Sequence, residues 1–287
     1  MRALGTLGAA GLRIDDKPTA PVNSLLDPKW AMLRETQPAE WDLEAMYEAA
    51  RGAPVSDKPV VAIVVPGYRE TERVAQVCRV SRNAVRLDLE KNGIPSMVWP
   101  IVGDSLICRM RQRACHLFML SGATHMLQWD GDIECLTPGC VAAMVATGHD
   151  VIAGACPFKT SERRTVVNLW PEDEGRPLEV VDGCVDVQDA GTGLMMVTRK
   201  AILTLMQAHP ELLHWSISMD SDRGAPLWSL FDTGVINGVY QSEDYYFCDL
   251  WQRQGGKVWV YVPAQFRHWG EHGFEASFEE QHGIHYE

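Results

Sequence analysis

The chain has 287 residues, 38 of them acidic against 26 Lys and Arg, a formal net charge of -12, and 46% are hydrophobic. That supports one large α/β domain or two small ones around a substantial core. The acidic balance excludes a protein that coats nucleic acid non-specifically, which requires many phosphates to be neutralised, and leaves only local basic patches open.

Eight cysteines (78, 108, 115, 135, 140, 156, 184 and 248) stand singly, with no CxxC pair. This argues against a secreted disulfide scaffold and against a zinc site, and reads as buried thiols in a reducing compartment. The start, Met1-Arg2-Ala3-Leu4-Gly5, opens no sustained hydrophobic region, and no later segment approaches a membrane span. The expectation is a soluble, cytoplasmic protein with no membrane partner. Acidic runs at Asp15-Asp16, Glu35 to Glu48, Glu172-Asp173-Glu174 and Glu275 to Glu280 read as solvated faces and loops.

Residues 1–58 close on Pro54 to Pro59 and read as an N-terminal extension; the main domain is expected over 59–275, with a short tail over 276–287. Val60 to Val65 is a continuous apolar run stopped by Pro66-Gly67, as in a central strand covered on both faces. A helix with Val74, Val77, Cys78, Val85 and Leu89 at helical spacing follows and ends at Asn92-Gly93. Ser96 to Ile101 reads as a strand. Asp104 or Ser105 is expected to cap a helix that presents Leu106, Met110, Leu117 and Phe118 and stops at Gly122. Thr124 to Trp129 is a third strand that delivers Asp130-Gly131-Asp132 at its end. Thr137-Pro138 opens a helix ended by Gly148, and Asp150 to Gly154 is a further buried strand. This strand–helix alternation predicts a mostly parallel, Rossmann-like sheet flanked by helices. The second half is less regular: strands are expected at Leu194 to Thr198 and Lys257 to Val262, helices at Lys200 to Ala208 and Ser242 to Gln254.

In open α/β sheets the ligand crevice lies beyond the carboxyl ends of the strands, where Asp130 and Asp132 fall. A sugar-nucleotide donor carries a pyrophosphate that departs with its negative charge, and Mg²⁺ or Mn²⁺ on one or two carboxylates can stabilise that charge. The bland alternative is a polar turn. Ser242-Glu243-Asp244 opens a helix, so its acids either serve the first-turn dipole or deprotonate an acceptor hydroxyl. His268, placed after the last strand, reads as a metal ligand or a satisfied structural histidine. Gly191-Thr192-Gly193 offers close backbone approach to a sugar, or a plain tight turn. Of Arg109, Arg111 and Arg113, the first and last share a helix face and Arg111 points elsewhere; at least one is expected in solvent and another on phosphate.

Taken in order, these pieces resemble GT-A glycosyltransferases, especially a family 2-like group of phage and bacterial genomes. The likeness spans about Val60 to Phe274. It rests on Arg111-Gln112-Arg113, on Thr124 to Ile133 with its DxD, and on Asp150 to Gly154 followed by Pro157-Phe158-Lys159. It continues through Gly191 to Met195, through Ser242 to Cys248 running into Gly255 to Trp259, and through His268-Trp269-Gly270. Gln112 stands where the group often has Asn, and Gly131 where Ala is commoner; neither removes a charged group.

The resemblance implies that Asp132 ligates Mn²⁺ or Mg²⁺, that Asp130 contacts the nucleotide or a metal-bound water, and that His268 completes the metal shell. Asp244, with Glu243 beside it, is the implied base. Pro66, Tyr68 and Glu70 would border the base and ribose of a UDP- or GDP-type donor, with Arg111 and Gly131 completing the nucleotide side. Lys159 and Gly191-Thr192-Gly193 fall on the sugar and acceptor side. Similar phage enzymes glycosylate hydroxymethylated pyrimidines in DNA, and related bacterial ones act on polysaccharide or protein. The basic cluster Lys159, Arg163 and Arg164 reads either as a DNA contact or as a solvated loop. The absence of GxxxxGK[ST] and GxGxxG argues against P-loop phosphoryl transfer and dinucleotide oxidoreduction. Metal-dependent nucleotidyl transfer and a non-catalytic sugar-nucleotide-binding module remain as alternatives.

Overall fold

The computed structural model describes residues 55–67, 72–216, 226–236 and 238–284, with backbone alone at Glu72 and Trp215. Nearly all of the expected extension over 1–58, and both Tyr68 and Glu70, lie outside the described residues. The first half runs β1 (Val61–Pro66), α1 (Glu72–Lys91), β2 (Ser96–Ile101), α2 (Ile107–Leu120), β3 (His125–Trp129), β4 (Ile133–Cys135), α3 (Cys140–Thr147) and β5 (Val151–Gly154). Then come β6 (Val167–Asn168), β7 (Cys184–Val187), β8 (Asp189–Ala190), β9 (Leu194–Thr198), α4 (Arg199–Ala208), β10 (Leu213–Trp215), β11 (Pro226–Trp228), β12 (Gly234–Ile236) and β13 (Val239–Gln241). The chain continues through α5 (Glu243–Arg253), β14 (Val258–Tyr261), β15 (Phe266–Trp269), β16 (Gly273–Ala276) and α6 (Phe278–His282).

Seven strands form the central sheet in the order β2-β1-β3-β9-β5-β14-β7. β2, β1 and β3 pair in parallel, as do β5 and β14, while β9 and the edge strand β7 run the other way. The apolar run of β1 alternates between two cores. Ala62 and Val64 join the side packed by α2, α4 and α5; Val61, Ile63 and Val65 join the side packed by α1 and α3. A strand buried on both faces needs no polar alternation, which is why its sequence reads as continuous Val, Ala and Ile.

The phase of α2 differs from expectation. Met110 and Phe118 are buried, but Leu106 and Leu117 are exposed, and the inward face instead includes Arg111, Gln112, Ala114, Cys115 and Met119. Two polar side chains displace apolar ones from this face because each has a buried partner: Arg111 pairs with carboxylates, and Gln112 donates to the Phe231 carbonyl at 3.1 Å. The cap also differs. Leu106 is the N-cap and makes no side-chain cap bond, while Asp104 accepts from the Leu106 amide at 2.9 Å and from Arg109 at 2.6 Å. At the other end of α2, Arg199 donates to the carbonyls of Phe118, Met119, Ser121 and Ala123, satisfying acceptors that the helix leaves open.

Three-stranded antiparallel pairing of β16, β15 and β4 forms a second small sheet beside the end of β3. His268 therefore lies inside a strand rather than after the last one, in register with Ile133. All eight cysteines are free, and all but Cys108 are buried. Among the described residues, no helix is long and apolar enough to cross a membrane.

Candidate active site

Three routes of chain bring polar groups to one edge of the sheet. β3 ends there and releases Asp130. β9 is antiparallel to β3, with Trp129 opposite Leu194, so the Gly191-Thr192-Gly193 loop arrives at the same edge from the start of its strand. The Asp130 amide donates to the Gly193 carbonyl at 3.0 Å and locks the two loops together. The third route is β15: the Trp269 amide donates to the Asp132 carbonyl at 2.9 Å, which sets His268 beside Asp132.

At the centre is Arg111, whose side chain is 2% exposed. Its guanidinium donates to Asp130 Oδ1 at 2.8 Å, to Glu243 Oε1 at 3.3 Å and to Gln128 Oε1 at 3.4 Å. This fork joins the carboxylate pair after β3 to the acidic start of α5. Arg111 is thus paired with protein carboxylates, while the half-exposed Arg109 is paired with Asp104. Burial raises the pKa of Asp130 above the usual carboxylate range; Arg111 opposes that shift and Asp132 adds to it.

Asp132 has two neighbours. Lys159 Nζ lies 2.5 Å from Oδ2, and His268 Nε2 lies 3.5 Å from Oδ1. Burial would raise the Asp132 pKa, but His268 and Lys159 override it and bring it to about 2. The other ring nitrogen, His268 Nδ1, is 2.9 Å from the Pro157 carbonyl. A carbonyl only accepts, so Nδ1 carries a proton and Nε2 is the ring nitrogen that faces Asp132.

That arrangement suits a divalent cation. The gap of 3.5 Å is long for a charge-assisted hydrogen bond. It is close to the roughly 3 Å that separates adjacent ligands about 2.1 Å from an Mg²⁺-sized ion. Charge points the same way: among the described residues, the four carboxylates Asp130, Asp132, Glu243 and Asp244 gather around two permanent cations, Arg111 and Lys159. Among the described residues, no three His, Cys, Asp or Glu side chains converge on one point. The chain would therefore supply part of a shell and leave the rest to phosphate oxygens and water.

Asp244 sits in the first turn of α5. Ser242 occupies the N-cap position but makes no cap bond; its hydroxyl donates to Asp244 Oδ1, which also accepts from the Tyr245 amide at 2.9 Å. Oδ2 faces Gly191, where a Cβ would come within 3.5 Å of it and within 2.8 Å of Val166. Gly191 is therefore required by close packing. Thr192 is buried, and Gly193 lies against Cys156. Burial, then Glu243 beside it, raises the pKa of Asp244 and strengthens it as a base.

Of the remaining expected residues, Pro66 closes β1 and is buried, and the Gly131 carbonyl accepts from Arg82 at 3.4 Å. Arg163 and Arg164 are exposed, paired with Glu280 and Glu162. Three contributors went unread in the sequence. Gln128 is fully buried, and its signal was a lone amide inside Met126-Leu127-Gln128-Trp129. Pro157 belongs to the Pro157-Phe158-Lys159 motif but acts through its carbonyl, a role the motif does not mark. Asp189 accepts from Asn168 Nδ2 at 3.1 Å, and burial, together with Asp244 and Asp249, brings its pKa to about 6.

No protein-family model and no curated protein matches the chain. Among solved structures it is similar to A197 from STIV, at 15% identity and a TM-score of 0.42, over 73% of this chain and 85% of that one. It is also similar to a glycosyltransferase involved in the glycosylation of the major capsid of PBCV-1, at 11% identity and a TM-score of 0.29, over 53% of this chain and 68% of that one. A third is HddC from Yersinia pseudotuberculosis complexed with GMP-PN, at 11% identity and a TM-score of 0.28, over 51% of this chain and 79% of that one. At these scores the likenesses carry no weight for substrate or activity, which have to be argued from the site.

Proposed function

We propose that this chain is a GT-A type glycosyltransferase, dependent on Mn²⁺ or Mg²⁺, that moves a sugar from a UDP- or GDP-type donor to an acceptor hydroxyl. The observation that carries the reading is the Arg111 fork, which holds Asp130 of the DxD and Glu243 of the Ser-Glu-Asp turn against one buried cation. A desolvated guanidinium is stable there only because carboxylates from both turns meet it, so the two turns are held as one unit.

Asp132 and His268 would hold the cation, with Asp130 toward the nucleotide. When bound, the cation stabilises the charge that develops on the departing diphosphate. Asp244 Oδ2 accepts the proton of the acceptor hydroxyl, while Ser242 and the Tyr245 amide fix the carboxylate through Oδ1. The Gly191-Thr192-Gly193 backbone faces the sugar, and direct displacement inverts the anomeric carbon.

The acceptor we favour is a 5-hydroxymethylpyrimidine in DNA. Arg163 and Arg164 lie on the segment that follows Lys159, and their ion pairs join side chains that are all more than 60% exposed. Such pairs are worth little, so a DNA phosphate can replace the glutamates at small cost. The test is a panel of nucleotide sugars with Mn²⁺ or Mg²⁺, crossed with unmodified and 5-hydroxymethylated DNA and read by mass spectrometry. Hexosyl or pentosyl transfer to modified DNA alone supports the reading. Transfer to glycan or protein overturns the acceptor, and release of free pyrophosphate from a nucleoside triphosphate would overturn the class.

A further inference from the structure

One short loop handles both residues read as metal ligands. The Pro157 carbonyl fixes the His268 ring through Nδ1 at 2.9 Å, and two residues later Lys159 Nζ lies on Asp132 Oδ2 at 2.5 Å. The loop is itself pinned: the Phe158 amide donates to the Arg164 carbonyl at 2.9 Å, and Pro157 bridges Thr165. The lysine stem passes over Gly270, where even a Cβ would only touch its Cδ, at 3.6 Å. The side chain is 40% exposed on a flexible stem, so the ammonium can leave Asp132 without disturbing the loop.

Resting on the metal-dependent reading above, we propose that Lys159 is an exchangeable counter-ion for Asp132. Its ammonium neutralises Asp132 in the ligand-free protein, must be displaced when a divalent cation binds, and then pairs with the diphosphate brought by the nucleotide. The charges support the exchange at each stage. An ammonium and a divalent cation compete for one carboxylate, so the metal alone binds weakly. A nucleoside diphosphate adds several negative charges a few ångströms away, and a lysine acting as a point charge needs no special geometry to follow them. The exchange couples metal binding to nucleotide binding, so each favours the other.

The test uses the full chain, with Mn²⁺ alone and then UDP and GDP at saturating Mn²⁺, by calorimetry on wild type, Lys159→Met and Lys159→Arg. Lys159→Met should bind Mn²⁺ alone about five- to tenfold more tightly and the nucleoside diphosphate about five- to tenfold more weakly. Lys159→Arg, which keeps the charge, should stay within about twofold of wild type in both. A merely structural lysine would move both affinities the same way or neither. If wild type and Lys159→Met bind Mn²⁺ equally, the counter-ion role is overturned and the metal reading stands; if neither binds Mn²⁺, both fall.

Discussion

Replacing Arg111 with Gln removes the charge at the centre of the site and keeps a polar side chain of similar reach. In the wild type, the guanidinium is almost fully desolvated and makes hydrogen bonds to Asp130, Glu243 and Gln128. Breaking a buried ion pair from one side costs about 3–5 kcal/mol, because the partner charge stays behind. Asp130 and Glu243 are 28% and 15% exposed, so water relieves part of the penalty. The expected loss is therefore near the lower end, about 3 kcal/mol, or a fall in Tm of about 6–12 °C for a domain of this size. The pH dependence gives a second readout. Burial already raises the Asp130 pKa with Arg111 opposing it, so removing Arg111 raises it further. The folded variant then binds a proton that the unfolded chain does not, and its deficit should shrink as pH falls from 7.5 to 5. Thermal and denaturant unfolding at both pH values measure this. A loss under about 1 kcal/mol, or a deficit unchanged between the two pH values, would refute the assignment of Arg111 as the counter-charge of the two carboxylates.

At Asp189 a substitution should stabilise the fold instead of weakening it. The residue's folded-state pKa of about 6 lies above the ordinary carboxylate value, so the stability it contributes is fully present below about pH 4 and is lost as pH rises through 6. Asp189→Asn, which can still accept from Asn168, should stabilise the protein by about 1–3 kcal/mol at pH 7.5 and by nothing at pH 4, as read by denaturant melts. Asp244→Asn should lower single-turnover transfer by about 10²–10⁴-fold with donor affinity little changed. It should also remove the acid limb of the rate profile, which the raised Asp244 pKa places above the ordinary carboxylate range. Gly191→Ala puts a methyl group 2.8 Å from Val166, so a cost of about 1–3 kcal/mol in stability is expected, with turnover falling because Asp244 borders the same point.

What could be read in advance follows from how local each signal is. β1, β2 and α1 were legible because a strand covered on both faces is apolar throughout and a helix on one face repeats its apolar residues. Both ends of Leu194 to Thr198 were anticipated as well. Its antiparallel direction was not, because direction is set by pairing with β3 and β5, which are distant in sequence. His268 was expected after the last strand and lies inside one. Phe266 to Trp269 becomes a strand by pairing with β16 on one side and with three residues of the distant β4 on the other. The inward turn of Arg111 was hidden because the helix pattern marks apolar positions, and a buried charge is stable only through carboxylates that arrive from β3 and α5. The buried amide of Gln128 was the one local hint.

The central claim is that Asp132 holds a divalent cation for a nucleoside diphosphate. Calorimetry of UDP and GDP binding to wild type and Asp132→Ala, with Mn²⁺ and with a chelator, tests it directly. One of the two nucleotides should bind wild type in Mn²⁺, weaken by at least about tenfold in chelator, and lose that metal dependence in Asp132→Ala. Binding that is indifferent to Mn²⁺ and to Asp132, or no binding of either nucleotide, would contradict it.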